Sequence, residues 1–457
     1  MTLIRRSVRA PVGDNPPTAF LYYGQNVLET LRDLPDRSVQ MVCTSPPYWG
    51  LRDYGTEGVV WGGDPKCQHQ FAMHEATHTR KNPGGAGINR DRGFDDLRGQ
   101  QQGFCRCGAW KGSLGLEPTP ELFVEHLVEI FRDVHRVLRD DGTIWLNLGD
   151  SYVGGGGFTP GSPSNQTSKT GKYNAAMHRG IRPQGSLKPK DLVGIPWMVA
   201  FALRADGWFL RSDIIWSKAN CMPESVRDRP TNAHEYVFLL SKSSRYYYDA
   251  EAIKVQATTL ENRSGQGKFD GTDTKARDLT KADPQPLRNR RTVWDISTRP
   301  FRGAHFAVWP PDLVELMVKA GSSEKGNCPC CGAPWVRTVD REHLGATKGS
   351  RPDPGMACPT GKAIGSNTRG MPHVPVATVG WEPSCQCTPV QTPERAVVLD
   401  PFSGSATTGA VAFQWGRNYI GIDLNADYIE LAESRLLGKE PRDGEKDEEM
   451  PLLDLLS

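Results

Sequence analysis

The chain has 457 residues, of which 37% are hydrophobic and 24% charged, and its formal net charge is +2. The length allows one large α/β domain with insertions, or two or three domains. So small a charge excludes nucleic-acid binding through a general positive field, so such contacts need local basic patches. No apolar run is long enough to cross a bilayer, and the N-terminus lacks the apolar core of a signal peptide. We therefore expect a cytoplasmic protein with no membrane partner.

In chain order, the apolar patterns predict strands that alternate with helices, which favours a mostly parallel sheet. Thr119, before Pro120, is the predicted start of a long helix, and Gly142 is predicted to close the turn after it. The predicted strands are 20–23, 38–43, 143–152, 208–218 and 235–243, the predicted helices are 26–34, 117–138, 191–204 and 310–321, and 396–436 is predicted as strand, turn, helix, strand and helix.

One predicted strand, which contains Val39, Met41 and Val42, runs directly into Thr-Ser-Pro-Pro-Tyr at 44–48. The two prolines end the strand because neither can donate a ladder hydrogen bond and each fixes its own φ. The proline after Ser45 also favours an extended serine. The pattern predicts a stiff corner at the carboxyl end of a strand that fixes a hydroxyl and an aromatic ring. Taken alone, it also fits an ordinary surface turn.

A second pattern, VVLDPFSGSATT at 397–408, is a strand that ends in Asp400, followed by a glycine-bearing turn and a helix. Such a unit points backbone N–H groups and a helix N-terminus at a ligand. The next predicted strand ends in Asp423, where nucleotide-binding α/β units place the acidic residue that holds a ribose. The pattern predicts an adenosine-containing ligand. The alternative is a tight strand–helix turn without a ligand.

Together, TSPPY and the later DPFSGSATT and GID motifs resemble those of the DNA amino-methyltransferases, which methylate the N4 amine of cytosine or the N6 amine of adenine. The resemblance implies an α/β, Rossmann-like, S-adenosylmethionine-dependent fold. Because the catalytic motif precedes the cofactor motif, it also implies the circularly permuted beta group. HFAVWPPDLV at 305–314 resembles the family segment that helps to enclose the cofactor. Ala406 departs from the family, which usually has glycine there.

The resemblance implies roles for individual residues. The Ser45 hydroxyl and the Pro46 carbonyl accept hydrogen bonds from the target amine, Pro47 keeps the corner rigid, and Tyr48 stacks on a base flipped out of the duplex. The implied catalytic residues are Ser45, Pro46, Pro47 and Tyr48, and the implied cofactor-binding residues are Thr44, Asp400, Phe402, Gly404, Ser405, Thr407, Thr408 and Asp423.

The implied reaction is methyl transfer from S-adenosylmethionine to the N4 amine of cytosine in double-stranded DNA. Serine at position 45, in place of Asp or Asn, favours cytosine. N6-adenine stays open because some adenine enzymes share the serine form. Other readings are methylation of an RNA base or a protein glutamine, and a catalytically dead, zinc-containing DNA-binding protein. The family also implies a bacterial or phage-encoded, nucleoid-associated protein. Such a protein is either the partner of a cognate restriction endonuclease or a free-standing enzyme.

The 11 cysteines of the chain are grouped, and in a cytosolic protein such groups favour metal sites over disulfides. Four thiolate or imidazole ligands in two short pairs fit a closed structural zinc site. The alternatives are reduced, unliganded cysteines and iron–sulfur ligation, and Cys330 and Cys358 are possible substitutes as ligands. The sequence therefore predicts one or two structural zinc ions, with Cys67, His69, Cys105 and Cys107 as one ligand set and Cys328, Cys331, Cys385 and Cys387 as the other, which is zinc-ribbon-like.

These patterns predict a methyltransferase core interrupted by insertions. The basic region 254–304 is the candidate target-recognition region, in which arginines contact phosphates and guanine edges. The predicted segments are 18–60 for the start of the catalytic half, 61–116 for an insertion with a possible zinc site, 117–253 for further core with a mobile loop at 153–190, 254–304 for target recognition, 305–327 with 394–440 for the cofactor-binding half, 328–393 for a zinc-ribbon-like insertion, and 441–457 for a C-terminal tail.

Overall fold

The computed structural model describes residues 4–10, 16–50, 58–71, 103–153, 186–221, 223–256, 287–299, 308–340 and 377–439. Most of the predicted mobile loop, most of the candidate target-recognition region, the predicted C-terminal tail, Cys358 and the first residues of HFAVWPPDLV lie outside these ranges. Within the described ranges, no helix combines the length and the apolar character that crossing a membrane requires.

The chain forms two compact units, one of residues 1–246, 292–318 and 397–457 and one of residues 247–291 and 319–396. In chain order the elements are β1 (Ile4–Arg9), β2 (Thr18–Tyr23), α1 (Val27–Asp33), β3 (Val39–Thr44), β4 (Val59–Trp61), β5 (Gly103–Phe104), β6 (Trp110–Gly112), α2 (Pro120–Val137), β7 (Leu138–Leu148), α3 (Ile195–Ala205), β8 (Phe209–Ser217), β9 (His234–Ser241), β10 (Val255–Gln256), β11 (Leu287–Arg288), β12 (Val293–Asp295), α4 (Pro311–Gly321), β13 (Trp335–Asp340), β14 (Ala377–Pro383), β15 (Val397–Asp400), α5 (Thr407–Gln414), β16 (Asn418–Asp423) and α6 (Ile429–Leu436).

The first unit is built on a nine-stranded mixed sheet in the order β1-β2-β16-β15-β3-β7-β9-β8-β12. The strands from β2 to β7 in this order are parallel, as the alternation of strands and helices predicts. The pairs β1–β2, β7–β9 and β8–β9 are antiparallel, and β1 has no counterpart among the predicted strands. The fold is therefore the predicted α/β, Rossmann-like class, extended by an antiparallel part.

The core of this unit lies between the sheet and the helices that cover it. Helix α2 begins where predicted, since the Thr119 hydroxyl accepts a hydrogen bond from the Leu122 N–H and Pro120 occupies the first turn. Its fully buried side chains include Phe123, Leu127, Ile130, Phe131 and Val134. Burying such a row of apolar side chains stabilises the unit by about 1.5–3 kcal/mol per residue.

The predicted turn at Gly142 is wrong. Strand β7 starts at Leu138, immediately after α2, and Gly142 lies within it. Its pairing with β3 is irregular, because Val39 pairs with Leu138 whereas Met41 pairs with Thr143. The residues between these two pairs absorb the offset as a bulge-like irregularity, which a sequence pattern alone does not distinguish from a turn.

The second unit contains the hairpin β13–β14 and the short pair β10–β11. Arg337 on β13 forms ion pairs with Asp249 at 3.0 Å and Glu324 at 2.7 Å, and its guanidinium lies 4.4 Å from the centre of the Trp381 ring on β14. Arg337 thus links the hairpin to two carboxylates outside it and packs against the Trp381 ring within it.

Candidate active site

Strands β15 and β3 lie side by side and parallel in the sheet, so their carboxyl ends meet. The chain leaves β15 towards β16 on one side and leaves β3 towards β7 on the other. Such a switch point opens a crevice at the carboxyl ends of the strands, where α/β proteins bind ligands. The tertiary structure therefore brings together the two motifs that lie more than 350 residues apart in the chain.

Asp400, at the end of β15, is buried at this junction. It accepts hydrogen bonds from the hydroxyls of Thr44 at 2.6 Å and Thr408 at 2.8 Å, and from the Phe402 N–H at 3.1 Å. Burial raises the pKa of Asp400 to about 6, although these three donors oppose the rise. The carboxylate thus joins the catalytic-motif strand to the start of α5.

Asp423, at the end of β16, lies at the same edge of the sheet, because β16 runs parallel to β15. It accepts hydrogen bonds from the N–H groups of Gly404 at 2.7 Å and Asn425 at 2.8 Å. Burial raises its pKa to about 6 as well, and the negative charge of Asp400 adds to the rise. The structure therefore places two carboxylates, each held by backbone donors, beside one glycine-bearing turn.

The turn between β15 and α5 rests on a buried chain of hydroxyls that the sequence analysis missed. Tyr23 Oη donates to the Gly404 carbonyl at 2.9 Å, so it accepts from Ser403 Oγ at 2.7 Å, which in turn accepts from Tyr419 Oη at 2.8 Å. Burial raises the pKa of both tyrosines well above the ordinary value. These contacts fix the turn in one conformation.

Ala406, where the resemblance noted a departure from glycine, is buried with φ +56° and ψ +43°. This left-handed conformation costs a residue other than glycine about 1–2 kcal/mol. The conformation explains why glycine suits the position. The alanine methyl group is accommodated in the protein interior at the cost of that strain, and Ala406 is not among the residues that line the cavity.

The Ser45–Tyr48 corner follows β3 as predicted. The Tyr48 ring passes close over Gly149, where a Cβ would lie only 2.6 Å from Tyr48 Cε2, so the position requires glycine. Tyr48 Oη donates to Glu235 Oε2 at 2.7 Å or Asn147 Oδ1 at 2.9 Å, and Ser45 Oγ lies 3.3 Å from Tyr48 Oη. The serine hydroxyl and the tyrosine ring are therefore fixed side by side.

Three polar partners of this corner were not predicted. Lys218 follows β8 and forms an ion pair with Glu235 on β9, and the Asn147 amide on β7 donates to the Tyr236 carbonyl at 3.1 Å. The sequence signal for them is a charged or amide side chain at the end of an apolar strand. That signal became informative only once the sheet had placed β7, β8 and β9 beside β3.

One cavity of about 400 Å³ within the first unit is lined by residues of both sequence motifs. This volume lies in the range of small-molecule sites. Of the predicted cofactor residues, Thr44 and Thr408 do not line the cavity and instead hold Asp400. The lining includes the predicted Ser45, Pro46, Pro47, Tyr48, Asp400, Phe402, Gly404, Ser405, Thr407 and Asp423, and also the unpredicted Asn26, Trp61, Asn147, Trp216, Lys218, Glu235, Trp309, Asn425 and Tyr428.

The predicted cysteine sets also converge, one in each unit. In each set the possible ligand atoms lie within 4.8 Å of one another. In the first set, Cys67 Sγ is 3.8 Å from Cys105 Sγ, and Cys107 Sγ is 3.3 Å from His69 Nδ1. A tetrahedral zinc with Zn–S bonds of about 2.3 Å holds sulfurs about 3.8 Å apart, so the donor sets fit this ion. Backbone N–H groups lower the pKa of Cys105 and of Cys328 to about 7.

The parallel sheet, the switch point and the two carboxylates beside a glycine turn are the features of a nucleotide-binding α/β site. A family model described as DNA methylase matches residues 39–328 and 390–434. The chain belongs to this family of N6/N4 DNA methylases, whose members act on DNA.

Individual relatives agree with this assignment. The type II methyltransferase M.SmaI of Serratia marcescens is 34% identical over 410 residues, which cover 90% of this chain and 88% of the relative. M.Cfr9I of Citrobacter freundii is 34% identical over 424 residues, covering 92% and 89%. The solved structure of the PvuII DNA methyltransferase (cytosine-N4-specific) aligns over 92% of this chain and 86% of its own, at 14% identity and a TM-score of 0.42. So loose a superposition carries no argument about the chemistry.

Proposed function

We propose that this protein transfers a methyl group from S-adenosylmethionine to the N4 amine of cytosine in duplex DNA, after flipping the base out of the helix. The observation that carries the proposal is the serine at position 45, with its hydroxyl at the cavity beside Tyr48 and on the same cavity as Asp400 and Asp423. A catalytically dead core is disfavoured because the catalytic and cofactor motifs line one cavity.

The cavity contains residues suited to the cofactor and residues suited to the target base. When bound, S-adenosylmethionine supplies an electrophilic methyl group on a sulfonium. Asp423 is placed to accept hydrogen bonds from ribose hydroxyls, and the charge of Asp400 favours the cationic part of the cofactor. The target base enters beside Tyr48 and Trp216, whose rings are suited to stacking. The Ser45 hydroxyl and the Pro46 carbonyl then hold the amine with its lone pair directed at the methyl group.

Cofactor affinity is expected to fall as the pH falls through about 6. Both carboxylates have a pKa of about 6, so they are ionised acceptors above that pH and become protonated below it. The folding stability of the cofactor-free protein is expected to follow the opposite trend. The folded state binds these protons more tightly than the unfolded chain does, so stability should fall as the pH rises from about 4 to about 6.

Calorimetric titration with S-adenosylmethionine from about pH 5 to about pH 8 measures this dependence. Protonation of each carboxylate is expected to weaken cofactor binding by up to about tenfold per pH unit. Asp423→Asn should bind weakly and show a flatter pH profile. Asp228→Asn is the matched control, since Asp228 pairs with Lys190 at the surface. A flat profile in the unaltered chain would exclude the two carboxylates as acceptors for the cofactor.

The methylated base is identified by single-molecule sequencing of DNA from a methylation-deficient host that expresses the chain. We expect a single modified motif that carries N4-methylcytosine. N6-methyladenine in that motif would instead establish the second candidate, which serine at position 45 disfavours without excluding it. An unmodified genome, despite soluble protein that binds the cofactor, would point to a dead core, an RNA base or a protein glutamine as the substrate.

Two further parts belong to this proposal. The two cysteine sets hold structural zinc, which folds polar segments that have too little apolar surface to fold alone. A cognate restriction endonuclease is the expected partner in the same bacterial or phage-infected cytoplasm. The residues expected to read the DNA sequence, within 254–304, fall mainly outside the described ranges.

A further inference from the structure

A chain of hydrogen bonds leads away from Ser45 across the cavity wall. We propose that Glu235 is the final acceptor of the proton that the target amine loses, and that Tyr48 passes this proton on from Ser45. The inference rests on the proposed function, because it needs an exocyclic amine held at Ser45. It gives Tyr48 a second task besides stacking, and it gives a role to Glu235, which lies outside both sequence motifs.

The direction of the chain follows from the chemistry of its groups. Tyr48 Oη has two acceptor oxygens within reach, and the Glu235 carboxylate is both the nearer one, at 2.7 Å against 2.9 Å for Asn147 Oδ1, and the stronger acceptor, so it receives the single hydrogen of Tyr48. The oxygen of Tyr48 is then left to accept from Ser45 Oγ at 3.3 Å. With its own hydrogen turned towards Tyr48, the serine presents lone pairs to the cavity. This is the arrangement that an acceptor of an amine proton requires.

Asn147 is a second acceptor for both hydroxyls, at 2.9 Å from Tyr48 Oη and 3.3 Å from Ser45 Oγ. Its amide orientation is fixed, because Nδ2 donates to the Tyr236 carbonyl and Oδ1 faces the hydroxyls. An amide oxygen is too weak a base to keep a proton near neutral pH. Asn147 therefore positions the hydroxyls, and the carboxylate is the group able to take up the proton.

Lys218 holds Glu235 in place as its ion-pair partner. The two side chains are only 20% and 16% exposed, and the Lys218 ammonium lies 4.6 Å from the centre of the Trp216 ring. The ammonium contacts Oε1 of the carboxylate. It thereby fixes Oε1, so that Oε2 remains directed at Tyr48.

Ser45, Tyr48 and Glu235 together account for the proton that the amine loses. As the amine nitrogen forms its bond to the methyl carbon, the carbon–sulfur bond breaks and its electron pair stays on sulfur. The methylated amine then gives one proton to Ser45 Oγ, the serine proton moves to Tyr48 Oη, and the tyrosine proton moves to Glu235 Oε2. Serine and tyrosine end neutral, and Glu235 ends as a carboxylic acid that later releases the proton to solvent.

The test measures single-turnover methyl transfer by the full chain, with S-adenosylmethionine prebound and duplex DNA that carries the motif found by sequencing. Glu235→Gln keeps an oxygen that accepts from Tyr48 but removes the base. We expect the transfer rate to fall about a hundredfold or more. The dissociation constants for cofactor and DNA should stay within about threefold of those of the unaltered chain. Glu224→Gln is the matched control, since Glu224 pairs with Arg229 and does not line the cavity.

Two further variants separate proton transfer from mere support of the Tyr48 ring. Tyr48→Phe keeps the ring and breaks the chain, so adding it to Glu235→Gln should slow transfer little further. Glu235→Ala should regain part of its rate in formate, which replaces the missing carboxylate. A Glu235→Gln rate within about threefold of the unaltered rate would overturn the relay, as would fully multiplicative losses in the double variant. No transfer by the unaltered chain would instead contradict the proposed function itself.

Discussion

The double variant Ser45→Ala, Tyr48→Ala is expected to transfer methyl groups to DNA about a thousandfold more slowly or worse, and yet to bind S-adenosylmethionine almost unchanged. The reason lies in the layout of the cavity. The hydroxyl and the ring belong to the corner after β3, whereas the carboxylates at the other end are held by Thr44, Thr408 and backbone N–H groups. Removing the corner therefore leaves the cofactor end of the site intact.

Transfer is measured in single turnover with labelled cofactor, and affinity by calorimetry on the same preparation. Ser38→Ala with Tyr246→Ala is the matched control, because both residues lie outside the cavity lining. If the Ser45→Ala, Tyr48→Ala variant still transferred methyl groups at the unaltered rate, Ser45 and Tyr48 would be excluded as the groups that hold the amine. A parallel loss of cofactor affinity would show that the corner supports the whole site and not the base alone.

The second large effect concerns the cysteine sets. The purified protein is expected to contain about two zinc ions per chain, and Cys331→Ser or Cys107→Ser should each remove about one. The apparent free energy of zinc binding reaches about 10–16 kcal/mol in small zinc-dependent folds, so each variant should also melt at a clearly lower temperature. The loss of stability should be largest in the segments that carry the ligands. These segments contain mainly short strands.

The chain offers a close control for this experiment. Cys221 lies outside both sets. Cys221→Ser should therefore leave the metal content and the melting temperature unchanged. Elemental analysis by mass spectrometry gives the metal, and thiol titration gives the free cysteines. Metal-free protein in which all cysteines titrate as thiols would exclude both zinc sites, and iron in place of zinc would support the iron–sulfur alternative.

Local patterns in the sequence were sufficient for several parts of the site. Ser45, Pro46, Asp400 and Asp423 each stand in a short motif whose chemistry depends on neighbours in the chain. The Thr119 cap and the apolar spacing of α2 are similarly local, and the structure confirms both. The pairs of cysteine or histidine residues two or three positions apart also predicted which side chains converge.

Contacts between distant segments could not be predicted in this way. Glu235 and Lys218 meet because β8 and β9 pair antiparallel, and they reach Tyr48 only because β7 places that pair near β3. The hydroxyl chain of Tyr23, Ser403 and Tyr419 likewise depends on sheet order. The bulge-like irregularity around Gly142 is fixed by pairing with β3, and so the local signal was misread as a turn.

The sequence by itself determined the class of fold and the two motifs, because these follow from residue chemistry and local periodicity, whereas the methyl donor was implied by the resemblance to a family. Only the tertiary structure decided which groups surround the target amine, since that depends on sheet order and strand register. The structure shows that Thr44 and Thr408 donate to Asp400, and their role in binding the cofactor stays a prediction. Glu235, which carries no motif, became the candidate proton acceptor because burial and an ion pair fix it against Tyr48.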